Sequence, residues 1–254
     1  MIGIFDSGAG GLSVLREIIK VLPGEKYVYY SDNANCPYGE KSRDFIIERA
    51  RYITEFLLDK GADIIVVACN TATAAAISSL RNEYPEVRFI GMEPAVKPAS
   101  HCTKSGVVGV LATAGTLKAD KYLDTRERFA DNVKFVEHVG SGFVELVEKG
   151  ILSGKEAEDT VYESLKPLMD EGADTIVLGC THYPFLSDTI RKVASAIDPQ
   201  REMTIIDPAP AVARQTVKVM AEEGLLDKGG TRTEVALYSS GDDTILKKTY
   251  NTLI

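Results

Sequence analysis

A nine-residue segment occurs twice in this chain. Gly61-Ala62-Asp63-Ile64-Ile65-Val66-Val67-Ala68-Cys69 returns 111 residues later as Gly172-Ala173-Asp174-Thr175-Ile176-Val177-Leu178-Gly179-Cys180, with six of the nine positions identical. In each copy a glycine and an acidic residue lead into an apolar, β-branched run that reads as a strand. A weaker match sets Gly3-Ile4-Phe5-Asp6-Ser7 against Gly109-Val110-Leu111-Ala112-Thr113. The chain therefore reads as two related units, with a cysteine just past the carboxyl end of an equivalent strand in each. Open α/β sheets bind their ligands outside the carboxyl ends of the strands.

Short apolar runs alternate with stretches of helical spacing throughout. Ile2 to Phe5, Tyr27 to Tyr30, Ile64 to Ala68 and Val87 to Ile90 read as strands, and Leu12 to Val21, Arg43 to Asp59 and Ala72 to Glu83 as helices. The second half has the same grammar. Strands are expected at Gly106–Leu111, Lys134–Val136, Thr175–Gly179, Thr204–Ile206 and Val235–Ser239. Helices are expected at Lys118–Phe129, Ser141–Lys149, Ala157–Asp170, Leu186–Ala196 and Ala211–Glu223. This order predicts an α/β fold of two pseudo-symmetric parallel-sheet domains with the active site between them. The first domain is expected to hold residues 1–93 and to regain 209–254, and the second to hold 94–208.

Composition narrows the function. The 254 residues suit one large domain or two small ones. A formal net charge of −8 lacks the basic field of a nucleic-acid binder. The longest apolar runs, such as Ile64 to Cys69, fall far short of the ~18 residues that cross a bilayer. No basic, then apolar, leader opens the chain, so a cytoplasmic location is expected. The four cysteines, Cys36, Cys69, Cys102 and Cys180, form no C-x-x-C pair, so no zinc ribbon or thioredoxin-like motif is present. Free cysteines in a reducing compartment ordinarily act as small buried hydrophobes. Cys36 and Cys102 keep that reading, and His101 and His138 read as ordinary surface or core residues.

Gly8-Ala9-Gly10-Gly11 follows a strand and opens a helix, and Asp32 ends the next strand. This approaches a dinucleotide fingerprint, but Ser13 stands at the third glycine position. The alternative is a tight turn whose N–H groups hold any anion. Asp6 and Ser7, at the strand end, suit an ammonium group and a carboxylate, and Ser7 is also a candidate helix cap. Cys69-Asn70-Thr71 and Cys180-Thr181-His182 each place a thiol and a polar pair at a helix start, where a thiolate is favoured. A zinc site from Cys69, Cys180 and His182 is a competing reading. Pro37-Tyr38-Gly39 forms a turn whose backbone suits a carboxylate, and Thr113 and Thr116 are further candidates.

These marks together resemble the glutamate racemase family, within the aspartate/glutamate racemases. They are Phe5-Asp6-Ser7-Gly8-x-Gly10-Gly11, Asp32-x-x-x-x-Pro37-Tyr38-Gly39, Ala68-Cys69-Asn70-Thr71-Ala72, Thr113-Ala114-Gly115-Thr116 and Leu178-Gly179-Cys180-Thr181-His182-Tyr183-Pro184. The likeness is weaker from about Asp207, where Asp207-Pro208 stands in place of Asp-Ser. The resemblance implies an amino-acid racemase that interconverts L- and D-glutamate without a cofactor or metal and supplies D-glutamate for peptidoglycan. It implies Cys69 and Cys180 as the acid/base pair, assisted by Asp6, His182 and Glu148, with Glu145 as the alternative to Glu148. It implies substrate binding by Asp6, Ser7, Pro37, Tyr38, Gly39, Asn70, Thr71, Thr113, Thr116, Thr181 and His182. A homodimer is expected, with glutamate as the small-molecule partner and neither nucleic acid nor membrane. Members with a long N-terminal extension are activated by a precursor; none precedes the first strand here, and that regulation is not expected.

A lysine motif for a pyridoxal Schiff base is lacking. Racemisation removes an α-proton from one face and delivers one to the other; one base could do both only by swinging around the substrate, whereas two bases on opposite faces need no such motion. The remaining alternatives are a racemase for aspartate or another amino acid, a two-lobed binding protein without catalysis, and a nucleotide-dependent oxidoreductase.

Overall fold

A computed structural model describes residues 1–131, 133–226 and 232–254. The chain forms two units, Met1–Met92 with Ala209–Ile254, and Glu93–Pro208. Unit 1 begins with β1 (Ile2–Asp6), α1 (Leu12–Val21), β2 (Lys26–Ser31), α2 (Arg43–Asp59), β3 (Ile64–Val67), α3 (Asn70–Glu83) and β4 (Arg88–Gly91). Unit 2 contains α4 (Val96–Cys102), β5 (Val107–Ala112), α5 (Ala114–Leu117), α6 (Asp120–Glu127) and β6 (Lys134–Val139). It continues with α7 (Phe143–Glu148), α8 (Lys155–Asp170), β7 (Thr175–Gly179), α9 (Ser187–Ile197) and β8 (Thr204–Ile206). The chain then returns to unit 1 with α10 (Ala209–Glu222), β9 (Glu234–Ser239) and α11 (Thr244–Leu253).

All strand pairs are parallel, and helices flank both sheets, which is the expected α/β class. The unit 1 sheet runs β4-β3-β1-β2-β9 and the unit 2 sheet β6-β5-β7-β8. Taken from its other edge, unit 2 is β8-β7-β5-β6, the order β4-β3-β1-β2 over again, so the sequence repeat is also a repeat of topology. In each sheet the first strand sends the chain to one side for its second strand and to the other for its third. The reversal therefore falls between β1 and β3 in unit 1, and between β5 and β7 in unit 2, where α/β sheets open a crevice at the strand ends.

The Gly-Ala-Asp start of each repeat is a helix stop. Gly61 after α2 and Gly172 after α8 have φ of +87° and +95°, the left-handed backbone that closes a helix and that glycine adopts freely. Ala62 and Ala173 are buried beneath them. The Asp63 and Asp174 amides then bond the carbonyls of Met1 and Val107, which aligns β3 beside β1 and β7 beside β5. Every residue of β1, β3 and β7 is buried, as in strands covered on both faces. On one face of the unit 1 sheet, Phe5, Val28 and Val67 pack against Ile46, Ile53 and Leu57 of α2 and Ala76 and Leu80 of α3. In unit 2, Val108, Val110 and Val177 pack with Val96 of α4 and Tyr122 of α6.

One local expectation is corrected, and three further helices are found. The helix expected from Lys118 to Phe129 is α6, shorter at both ends: the Thr113 hydroxyl caps a separate turn, α5, through the Thr116 amide at 3.3 Å, and the chain is extended again at Ala119 (φ −74°, ψ 131°) before α6 begins. The helix α4 was not read from the sequence. Nor was α11, which starts where Asp242 accepts hydrogen bonds from the Thr244 amide (2.8 Å) and hydroxyl (2.6 Å). Among the described residues no helix is long and apolar enough to cross a membrane.

Candidate active site

In unit 1 the crevice between β1 and β3 is lined by the residues just past the carboxyl end of each strand. Asp6 is fully buried, and its Oδ2 accepts from the amides of Gly8 (3.3 Å) and Gly11 (2.8 Å). Tyr29 holds the same loop by donating to the Gly8 carbonyl at 2.8 Å. A Cβ at Gly11 would stand 2.7 Å from both Asp6 Cβ and the Tyr29 hydroxyl, so the loop closes only around glycine there. Two of the N–H groups read as an anion cradle are thus spent on the chain's own carboxylate.

Cys69 ends the repeat and caps α3. Its Sγ accepts from the Ala72 amide at 3.4 Å and lies 3.9 Å from Ser7 Oγ. An N–H donor and the positive end of a fourteen-residue helix both favour a thiolate at this sulfur. Next to it Asn70 is 3% exposed, and neither its Nδ2 nor its Oδ1 has a hydrogen-bond partner. A buried amide without partners costs stability unless a ligand satisfies it. Thr71 is buried in the same first turn of α3.

Unit 2 places the second cysteine at the matching point, past β7. Cys180 Sγ stands 3.8 Å from His182 Nδ1, and Thr181 Oγ1 stands 3.4 Å from the same nitrogen. The other ring nitrogen, Nε2, lies 2.6 Å from Glu148 Oε1 at the end of α7. Of the two candidate glutamates, Glu148 is therefore the one against His182. A carboxylate accepting from Nε2–H leaves Nδ1 as an acceptor facing the thiol. The phenol of buried Tyr183 is pushed well up by burial first and then by the neighbouring Cys180. At the end of β5, beside the end of β7 in register, Thr113 and Thr116 hold their hydroxyls 3.0 Å apart.

Pro37, Tyr38 and Gly39 come after a short turn at Asn33–Asn35, and Tyr38 opens another at Tyr38–Glu40. The buried Tyr38 hydroxyl donates to Asp32 Oδ2, which leaves the backbone here, rather than the phenol, available to a ligand. Burial, then the adjacent Asp32 charge, raises that phenol far above its usual range. Asp32 is fully buried and doubly bonded by Arg49, Nε to Oδ2 at 3.0 Å and Nη2 to Oδ1 at 2.8 Å, with Asn35 Nδ2 on Oδ1 at 3.0 Å. Burial alone would raise the Asp32 carboxyl, but hydrogen bonds from Arg49, Tyr38, Asn35 and Ser240 outweigh it and hold the group below the usual carboxylate range. Both oxygens are occupied within the chain, which removes the ribose-binding role of the dinucleotide reading. Arg49 escaped the sequence reading, yet a signal existed: it lies three residues after Ile46 and four before Ile53, on the buried stripe of α2.

Residues 2–216 match the family model for Asp/Glu/Hydantoin racemase. The glutamate racemase of Pseudomonas aeruginosa strain UCBPP-PA14 is 47% identical over 232 residues, covering 91% of this chain and 86% of that protein. Among solved structures, glutamate racemase isoform RacE1 from Bacillus anthracis superposes with a TM-score of 0.86 at 31% identity, covering 99% of this chain and 92% of that one. The Escherichia coli glutamate racemase in complex with L-glutamate and the activator UDP-MurNAc-ala gives a TM-score of 0.84 at 32% identity, covering 99% and 93%. With a family match over most of its length and relatives near half identity, the chain belongs to the Asp/Glu/hydantoin racemases and, within them, to the glutamate racemases.

Proposed function

We propose that the chain interconverts L- and D-glutamate by a two-base mechanism with no cofactor, as a cytoplasmic homodimer that supplies D-glutamate for peptidoglycan. The observation that carries the reading is the pair of buried thiols, Cys69 and Cys180, at matching points of two sheets of the same topology. In one direction the Cys180 thiolate takes the α-proton of L-glutamate, and the Cys69 thiol delivers its proton to the opposite face. The product is D-glutamate, with Cys180 now the thiol and Cys69 the thiolate, and the reverse reaction starts from that form. His182, set by Glu148, tunes the Cys180 thiol. Asp6 shapes the loop beside Cys69. The substrate carboxylates and amine fall to Ser7, the backbone of Pro37-Tyr38-Gly39, Asn70, Thr71, Thr113, Thr116 and Thr181. The carbanion-like state is then stabilised by positioned donors rather than by an electron sink.

The test is polarimetric decay of L-glutamate with purified protein and no cofactor added. Racemisation to zero rotation supports the reading, and an inert protein overturns it. Equal turnover of aspartate would overturn the assignment of glutamate as the preferred substrate.

A further inference from the structure

Beyond the region matched by the family model, the corner between β9 and α11 grips the segment that leads to Tyr38. The Ser240 amide continues the β9–β2 pairing by donating to the Ser31 carbonyl at 3.0 Å. Past that point side chains take over. The Ala34 amide donates to Ser240 Oγ at 3.1 Å, and Ser239 Oγ donates to Asn33 Oδ1 at 2.7 Å. Asn33 Nδ2 donates to the Asp242 carbonyl, and the Gly241 amide returns to Ser239 Oγ at 3.3 Å. The approach is close: a Cβ on Gly241 would lie 3.0 Å from Asn33 Oδ1 and 3.3 Å from Ala34 Cβ. The turn is flanked by Asp32, whose Oδ1 accepts from Asn35 Nδ2 at 3.0 Å and whose Oδ2 accepts from the Tyr38 hydroxyl.

We infer that Ser239 and Ser240 are positioning residues for substrate binding, fixing the 33–35 turn so that the Pro37-Tyr38-Gly39 backbone meets a substrate carboxylate. The inference rests on the role given to that backbone under Proposed function. A short turn with one bonded flank can pivot. Here Arg49 holds it from α2 and the serine pair from β9, so two elements far apart in sequence define one backbone position. None of the hydrogen bonds these hydroxyls make involves Cys69 or Cys180, so ground-state binding should suffer more than the proton transfers.

The experiment compares wild type, the double variant Ser239→Ala/Ser240→Ala, the conservative variant Ser239→Thr/Ser240→Thr, and Ile18→Val, a core change remote from the turn. Each is measured for melting temperature, for glutamate affinity by calorimetry, and for KM and kcat. The alanine pair should raise KM and Kd about tenfold, the size expected for one or two lost hydrogen bonds, with kcat within about twofold. The threonine pair should restore most of the affinity, and Ile18→Val should lower melting without moving KM. An alanine pair that melts earlier but keeps wild-type KM and Kd overturns the inference alone. A wild type that neither binds nor racemises glutamate overturns the reading beneath it.

Discussion

Glu148 and His182 meet at 2.6 Å through Oε1 and Nε2, while the Nδ1 of the same imidazole faces Cys180 Sγ at 3.8 Å. One ring thus links an anion to a thiol, and the carboxylate decides which nitrogen carries the proton. Glu148→Gln keeps the shape but can present an amide N–H to Nε2 and so favour the wrong tautomer. The expected loss is about 10- to 100-fold in kcat/KM, larger from L-glutamate, for which Cys180 is the proposed base, than from D-glutamate. Initial rates in both directions check it. An unchanged rate from L-glutamate would remove Glu148 from the mechanism.

Replacing either thiol should stop racemisation. Cys69→Ala and Cys180→Ala should each lower the rate by about 10²–10⁴-fold, while Cys102→Ala, at an exposed position, should leave it within about twofold. In deuterated water the product enantiomer should carry deuterium at Cα from its first turnover while recovered substrate stays largely protonated. Equal early exchange of both enantiomers would point to a single base.

Asn70 offers a separation of binding from stability. Its amide makes no hydrogen bond within the chain. Asn70→Ala therefore forfeits only packing and should shift Tm by less than about 3 °C. The same change should raise KM by roughly 10- to 100-fold, the cost of a lost hydrogen bond to a charged ligand. Thermal melts beside steady-state kinetics test the pair of expectations, and a large fall in Tm with an unchanged KM would contradict both.

The Asp32–Arg49 pair sets a pH dependence. Because the folded Asp32 carboxyl lies below its unfolded value of about 3.9, the pair stabilises the fold above that pH, and the contribution fades as pH falls through the folded value. Arg49→Met should cost roughly 1–3 kcal/mol at pH 7, below the ~3–5 kcal/mol for breaking a fully buried pair because Arg49 is 22% exposed. Urea midpoints from pH 7 to pH 3 should show the two proteins converging below about pH 4. A deficit that stays constant over this range would mean that Arg49 acts through packing alone.

Much of the fold was legible because the signals were local. The Gly61 and Gly172 stops, the β-branched runs after them, and the cysteines beyond lie within nine residues of one another in each repeat, and they mark the crevice of each sheet. The thiol neighbours were legible for the same reason: Asn70, Thr71, Thr181 and His182 come directly after their cysteines. The illegible part depends on contacts distant in sequence. The choice of Glu148 over Glu145 turns on which end of α7 faces His182. Arg49 is meaningful only once Asp32 is known to be buried beside it. Thr244–Leu253 has apolar residues at helical spacing, but Asp242, whose Oδ1 holds its first residue, also gives its carbonyl to Asn33, 209 residues away in the chain. The separate turn α5 depends on Thr113, whose hydroxyl both caps it and meets the Thr116 hydroxyl.

The position of β9 has a consequence for synthesis. Strand β2 finds one neighbour, β1, almost at once, but its other edge waits for residues 234–239, after all of unit 2 has been made. Unit 2, by contrast, is one uninterrupted stretch, Glu93–Pro208, whose four strands are all present once Ile206 has emerged from the ribosome. The order of completion is therefore the reverse of the order of translation: the second unit closes first, and the first closes last, when its late strand arrives. Until then β2 presents an open row of backbone donors and acceptors, the template on which nascent chains pair wrongly. A nascent chain stalled before β9 leaves that edge uncovered.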